Sequence, residues 1–226
     1  MEKLSSHLKT TTIFIFFMNL LPLYGVLQWG WAVFDVMVLY WLENVIIGLL
    51  NIVKMISWSV LHKGKISRFL TLFLAPFFAV HYGGFTFGHG SFVYALLADD
   101  AVKDVYGNDI IDGLFAFVLN NEHGLLWGAA GIFAGHFLSY LRHFIIGKEH
   151  EKTHPMLLMQ EPYSRVIALH VAIIAGGGLV MVTGEQAWML LALIVLKSLA
   201  DAKMHIRKHT KSAQIGKRLL ESLNAR

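Results

Sequence analysis

Ionisable side chains recur inside apolar stretches of this sequence, at spacings that bring several of them onto shared helical faces. Lys197, Asp201 and His205 follow one another at intervals of four, so one face of a helix carries all three. Three other apolar stretches contain histidines: His81, His89, His136 and His170. Glu43 lies in a further one. A charged side chain in hydrocarbon costs about 2.5–3.5 kcal/mol on insertion scales, so ionisable side chains inside apolar stretches indicate function.

The residue types favour a metal site. Imidazole and carboxylate ligands together suit zinc, iron or manganese, and the interior of a helix bundle is a usual place for them. We therefore predict a divalent transition metal held by these side chains: His81, His89, His136, His170, Asp201 and His205. Glu43 and Lys197 are the predicted catalytic residues, because a carboxylate and an ammonium group can assist a metal that polarises a substrate or activates water.

The same residues allow other interpretations. Glutamate, aspartate and histidine can form a relay in an ion- or proton-coupled transporter. Paired histidines at matched depth, such as His81 with His170 or His136, can be axial ligands of haem, the lesser cofactor alternative, in a haem- or quinone-binding electron carrier. In a purely structural interpretation the histidines form hydrogen bonds within the packing, and Lys197 and Asp201 form a plain ion pair. The sequence leaves these alternatives open.

Composition indicates that the elements positioning these residues are membrane helices. Of the 226 residues, 56% are hydrophobic and only 15% are charged, whereas a soluble domain carries about 25% charged residues. The apolar blocks reach the length of about 20 residues that crosses a hydrocarbon core. We predict an all-α, polytopic membrane helix bundle, a single membrane domain over residues 1–226. Its six helices are expected at about 11–28, 31–59, 67–97, 123–146, 165–183 and 187–207.

Charges in the connections predict the orientation. Lysine and arginine accumulate before the first predicted helix, between the second and third, between the fourth and fifth, and after the sixth. The other connections lack this excess, and residues 99–112 carry five aspartates. The positive-inside rule then places both termini on the cytoplasmic side of the membrane. The net charge of +4 therefore reflects topology, and nucleic acid is not an expected partner.

Two further sequence features, one in the acidic loop and one in the third predicted helix, predict local structure. Apolar residues of the acidic loop share one helical face, which predicts a short helix at the lipid surface or packed on the protein's own end: Ile110, Ile111, Leu114, Phe115 and Val118. Between His81 and Gly90, four glycines occupy eight positions. Each glycine costs a helix up to about 1 kcal/mol relative to alanine, so the third helix is expected either to be interrupted there or to pack closely against a neighbour.

Several of these motifs also resemble a known family. They are Tyr40 to Asn44 with Gly48, Asn51 and Lys54, His81 to Gly90, Pro162 to Arg165 with His170, and Lys197 with Asp201 and His205. On these residues the chain resembles a family of uncharacterised bacterial multi-pass integral membrane proteins. The resemblance implies a membrane location and no particular activity.

From the residues we predict a metal-dependent membrane enzyme acting on a lipid or small hydrophobic substrate. The expected partners are the lipid bilayer and that substrate, and a homo-oligomer is left open.

Overall fold

The structure is a computed structural model that describes residues 24–26, 28–62, 64–107, 109–120, 124–163, 166–167, 170–171 and 182. The chain divides into two compact units, one of Tyr24–His170 and one of Met1–Leu23 with Val171–Arg226. Nearly all described residues belong to the first unit. The predicted helices at about 11–28, 165–183 and 187–207 therefore lie wholly or largely outside the described residues. Within the described part all regular structure is helical, as predicted, while the single membrane domain stays a prediction.

Two long helices form the centre of the Tyr24–His170 unit. Helix α1 comprises Val33–Leu61 and helix α2 comprises Lys65–Leu97. Val33–Leu61 and the Arg68–Leu97 part of α2 are each long and apolar enough to cross a membrane. Their bounds lie within two residues of the predicted spans at 31–59 and 67–97. The start of α1 is fixed by Asp35, whose carboxylate accepts a hydrogen bond of 2.7 Å from the Ala32 amide.

Helix α2 is continuous through its glycine-rich stretch, so the predicted interruption is wrong. Close contacts with α1 explain why the helix persists. A Cβ atom added to Gly90 would overlap the Trp41 indole, and one added to Gly48 would overlap the Tyr82 ring. Helix packing at these two positions offsets the low helix propensity of glycine. Three other glycines of α2 face open space in the described part of the chain: Gly83, Gly84 and Gly88.

Shorter helices complete the unit. They are α3 (Asp100–Tyr106), α4 (Ile110–Asn120), α5 (Leu125–Ser139) with a π-helical continuation (Tyr140–Ile146), a 3₁₀ turn (Glu149–Lys152) and α6 (Pro155–Gln160). The predicted fourth helix at 123–146 corresponds to α5 and its continuation. Joined to α4 across a bend of 91°, it forms a third candidate span. The described residues thus contain two or three candidate spans, and six crossings stays a prediction.

The described core lies where α1, α2, the π-helical segment and α6 meet. It is built mainly from large apolar side chains: Met55, Trp58, Leu74, Ala75, Phe78, Tyr82, Tyr140, Phe144, Leu158 and Val166. One face of α1, formed by Asn44, Gly48, Asn51 and Met55 at spacings of four, three and four, is buried. Asn51 donates a side-chain hydrogen bond of 2.9 Å to the Leu158 carbonyl, which ties α1 to α6.

The acidic loop is helical, as its apolar spacing predicts. Helix α4 buries Leu114, Phe117 and Val118 while Ile111 and Phe115 stay exposed. Its buried face packs on the bundle itself, where the Phe117 ring lies 4.7 Å from the Phe34 ring of α1. The position of α4 therefore fits a helix packed on the protein's own end.

Candidate functional site

Histidines on one face of α2 meet the chain segment that follows α6. His81, Phe85 and His89 follow one another at intervals of four, so they lie on one side of α2. Tyr163 and His170 are seven residues apart, which is about two helical turns. His81 contacts Tyr163 and His89 contacts His170, so the two segments run in the same direction along their shared side.

The first pair is a hydrogen bond between an imidazole and a phenol. His81 Nδ1 lies 2.6 Å from the Tyr163 hydroxyl. Burial raises the pKa of Tyr163 above its ordinary value, so the hydroxyl keeps its proton. The tautomer of His81 decides which of the two groups donates in this hydrogen bond. Phe77 and Phe85 hold the imidazole from both sides, with ring centroids at 5.4 and 5.2 Å.

The second pair brings two imidazoles together. The rings of His89 and His170 have centroids 3.9 Å apart and planes inclined at 65°. His170 Nδ1 donates to the Val166 carbonyl at 2.9 Å, so in the neutral ring Nε2 is the nitrogen that carries the lone pair. His89 is only 6% exposed. Neither of its ring nitrogens makes a well-formed hydrogen bond among the described residues, although the Phe85 carbonyl lies near the ring.

A buried imidazole in this state is costly. A buried polar group without a partner costs about 1–3 kcal/mol. The cost is offset where a ligand, a water molecule or a transferred proton engages the ring. Among the described residues of the predicted site, His89 is therefore the one whose burial most needs a functional explanation.

A third pair connects α1 with α5. His136 Nε2 lies 3.7 Å from a carboxylate oxygen of Glu43, and both side chains are largely buried. This distance allows an ion pair when the imidazole is protonated. Glu43, the predicted catalytic carboxylate, is thus placed beside a proton-exchanging group, on a pair of helices that includes neither His81 nor His89.

The predicted metal ligands are divided among these pairs. His89 and His170 come together, whereas His81 is beside Tyr163 and His136 is beside Glu43. Among the described residues, no group of three or more histidine, cysteine or acidic side chains can hold a metal ion. Three predicted residues lie outside the described residues: Lys197, Asp201 and His205. The metal site stays a prediction that depends on them.

The sequence interpretation missed a second histidine group, around Trp58 near the end of α1. His62 stacks on Trp58 at 4.4 Å, His154 meets its edge at 5.5 Å, and His150 lies 5.6 Å from His62. The Trp58 indole also donates to the Thr153 carbonyl at 3.1 Å. The sequence signal that could have revealed this histidine group is the spacing of four between His150 and His154 in a basic connection. Tyr163 was likewise missed as a partner, although its spacing of seven from His170 puts both on one helical face.

Comparison with known proteins gives one match. A family model described as a family of unknown function, DUF6498, matches residues 1–217. No curated protein and no solved structure matches the chain.

Proposed function

This chain belongs to the DUF6498 family, and we propose that it is an ion- or proton-coupled membrane transporter in which paired titratable side chains carry protons. The observation that carries the proposal is the alignment of His81 with Tyr163 and of His89 with His170 along one side of α2. Histidine can accept a proton at one nitrogen and release it from the other at physiological pH. Intramembrane ionisable groups commonly mark such pathways.

The two pairs divide the transfer into short steps. At the first pair, in the tautomer in which the Tyr163 hydroxyl donates to His81 Nδ1, the ring takes a proton at Nδ1 and releases one from Nε2. At the second pair, His170 Nε2 accepts a proton beside His89, because Nδ1 is the nitrogen that donates to the Val166 carbonyl. The eight residues from His81 to His89 span about 12 Å along the helix. Bridging water molecules would have to connect the two pairs across that distance.

A metal-dependent membrane enzyme is the second candidate, and His89 is the observation that favours it. His89 and His170 are closely spaced imidazoles that supply two nitrogen donors, and neither nitrogen of His89 makes a well-formed hydrogen bond among the described residues. The sequence predicts Asp201 and His205 as further ligands for zinc, iron or manganese, and both lie outside the described residues. Glu43 and Lys197 would act on a lipid or small hydrophobic substrate.

Proton flux and metal content separate the two candidates. Purified protein is reconstituted in liposomes containing a pH-sensitive dye, and flux is driven by a potassium diffusion potential. For a relay we expect His89→Gln and His170→Gln each to lower proton flux about tenfold or more, because each removes a proton-exchanging group. The matched control is His143→Gln, since His143 is exposed on the π-helical segment. It should leave the flux unchanged.

The same preparations are assayed for bound metal. Metal in the wild type that is lost in His89→Gln, His170→Gln and His205→Gln, with no proton flux in any sample, would favour the enzyme. Equal flux in the wild type, both site variants and protein-free liposomes would contradict the relay.

We also infer that the chain crosses a bacterial inner membrane six times and that both termini lie on its cytoplasmic side. The alternation of basic and non-basic connections supports this topology. The parallel course of α2 and the segment from Tyr163 to His170 is also consistent, because the third and fifth of six spans run in the same direction.

A further inference from the structure

A cavity of about 390 Å³ lies between α1, α2 and α4, and its lining includes neither His81 nor His89. Its walls are almost entirely apolar and include Trp41, Phe78, Tyr82, Gly83, Leu114 and Phe115. The volume falls within the range of about 300–1,000 Å³ that ligand pockets occupy.

Small residues create the cavity. At Gly48 and Gly90 the two long helices approach closely, with the Tyr82 ring against the first and the Trp41 ring against the second. At Gly83, which also lines the cavity, a Cβ atom would meet nothing within 4 Å. The helices are therefore held together by two close contacts, and space is left beside Gly83.

The polar groups of the wall are turned to other partners. The Trp41 indole donates to the Thr86 carbonyl at 2.9 Å, and the Tyr82 hydroxyl donates to the Asn44 carbonyl at 3.1 Å. The Thr86 hydroxyl donates back to the Tyr82 carbonyl at 2.9 Å. Ser91 also lines the cavity, and its hydroxyl oxygen is buried without a hydrogen-bond partner among the described residues. The cavity thus presents a hydrocarbon surface.

We propose that the acyl chain of a membrane lipid occupies this cavity. Both long helices that line it have the length and composition of membrane spans, so acyl chains are the most abundant apolar groups beside it. An apolar cavity does not hold ordered water, whereas a hydrocarbon chain fills it without needing a hydrogen bond. This inference goes beyond the proposed proton transfer and does not depend on it, because no member of either histidine pair lines the cavity.

Helix α4 covers one side of the occupant. Ile110, Ile111, Leu114 and Phe115 face the cavity, and the Phe115 ring meets the Trp41 ring edge-on at 6.0 Å. An acyl chain in the cavity would therefore touch α4 as well as the two long helices. Ile111 and Phe115 are exposed, so an occupant is distinguished from lipid on the outer surface by contact with residues 110–115 that is lost when the cavity is filled.

The test uses a phosphatidylcholine that carries a diazirine in the middle of one acyl chain. The full-length protein is reconstituted with this lipid and irradiated, and the labelled peptides are mapped by mass spectrometry. We expect labelling of residues 110–115 in the wild type and its loss in Gly83→Leu, whose side chain fills the cavity. Gly88→Leu is the matched control, because Gly88 also faces open space but does not line the cavity. It should retain the label.

A second cavity-filling variant guards against misfolding of the first. Ala79 lines the cavity and is exposed, so Ala79→Phe should also abolish the label. Monodispersity in detergent is checked for every variant. Equal labelling of residues 110–115 in the wild type and in a folded cavity-filled variant would overturn the proposal. Labelling by a free apolar diazirine probe but not by the lipid would overturn it in favour of another small hydrophobic ligand.

Discussion

At the scale of single residues, hydrogen-bond partners decide what each histidine can do. The carbonyl of Val166 fixes the Nδ1 proton of His170, because a carbonyl oxygen only accepts, and the hydroxyl of Tyr163 orients the ring of His81. The sequence predicted that these histidines are functional, because ionisable side chains in apolar helices cost free energy. It could not predict their partners, since a partner across the bundle depends on how helices rotate against one another.

Tyr163 offers a test of this assignment. Tyr163→Phe removes the hydroxyl that lies 2.6 Å from His81 and should lower the free energy of unfolding by about 0.5–1.5 kcal/mol. If the pair carries protons, flux in proteoliposomes should fall as well. Thermal unfolding in detergent and the dye assay measure the two effects.

Tyr106→Phe is the matched control for that substitution. Tyr106 also has a side-chain hydrogen bond, from the Asn120 amide at 2.6 Å, but it lies in the acidic loop. We expect a comparable loss of stability and no change in flux. A Tyr163→Phe variant that transports protons like Tyr106→Phe would show that the His81 hydrogen bond is only structural.

At the scale of the element, the length of each apolar block was the most informative signal. It predicted α1, α2 and α5 with its π-helical continuation to within two or three residues. Local propensity misled at the glycine-rich part of α2, because the contacts of Gly90 with Trp41 depend on a distant helix. The cavity could not be predicted from the sequence either, because its walls come from three different helices.

The cap of α4 should control how well that helix covers the cavity. Asp109 accepts hydrogen bonds from the amides of Ile111 at 3.0 Å and Asp112 at 3.1 Å. Asp109→Ala removes both and should cost about 0.5–2 kcal/mol. We expect faster hydrogen exchange throughout α4.

Asp99→Ala provides the comparison, because Asp99 caps α3 through the Val102 amide at 2.8 Å. Helix α3 has no buried residue, so its loosening should stay local and leave the exchange of α4 unchanged. The same exchange rates in α4 for both variants would contradict the role given to the Asp109 cap.

At the scale of the whole molecule, the distribution of charge supports six crossings with cytoplasmic termini, and the described helices account for two or three of those crossings. Two described helices, or three with the bent pair, have the length and apolar character of spans. The remaining predicted spans, with Lys197, Asp201 and His205, lie outside the described residues. Orientation therefore depends on lysine and arginine in the connections, a signal that reflects membrane insertion and not packing.

Reporter fusions test the orientation directly. With six crossings and a cytoplasmic amino terminus, alkaline phosphatase fused after Arg226 should be inactive, because that enzyme requires the oxidising periplasm to form its disulfides. A fusion within the acidic loop, after Gly107, should be active, since this loop lies between the third and fourth predicted spans. Green fluorescent protein at the same positions should give the opposite pattern and controls for expression. An active phosphatase at Arg226 together with an active one at Gly107 would require an even number of crossings between them, and the three spans predicted after α4 would then be wrong.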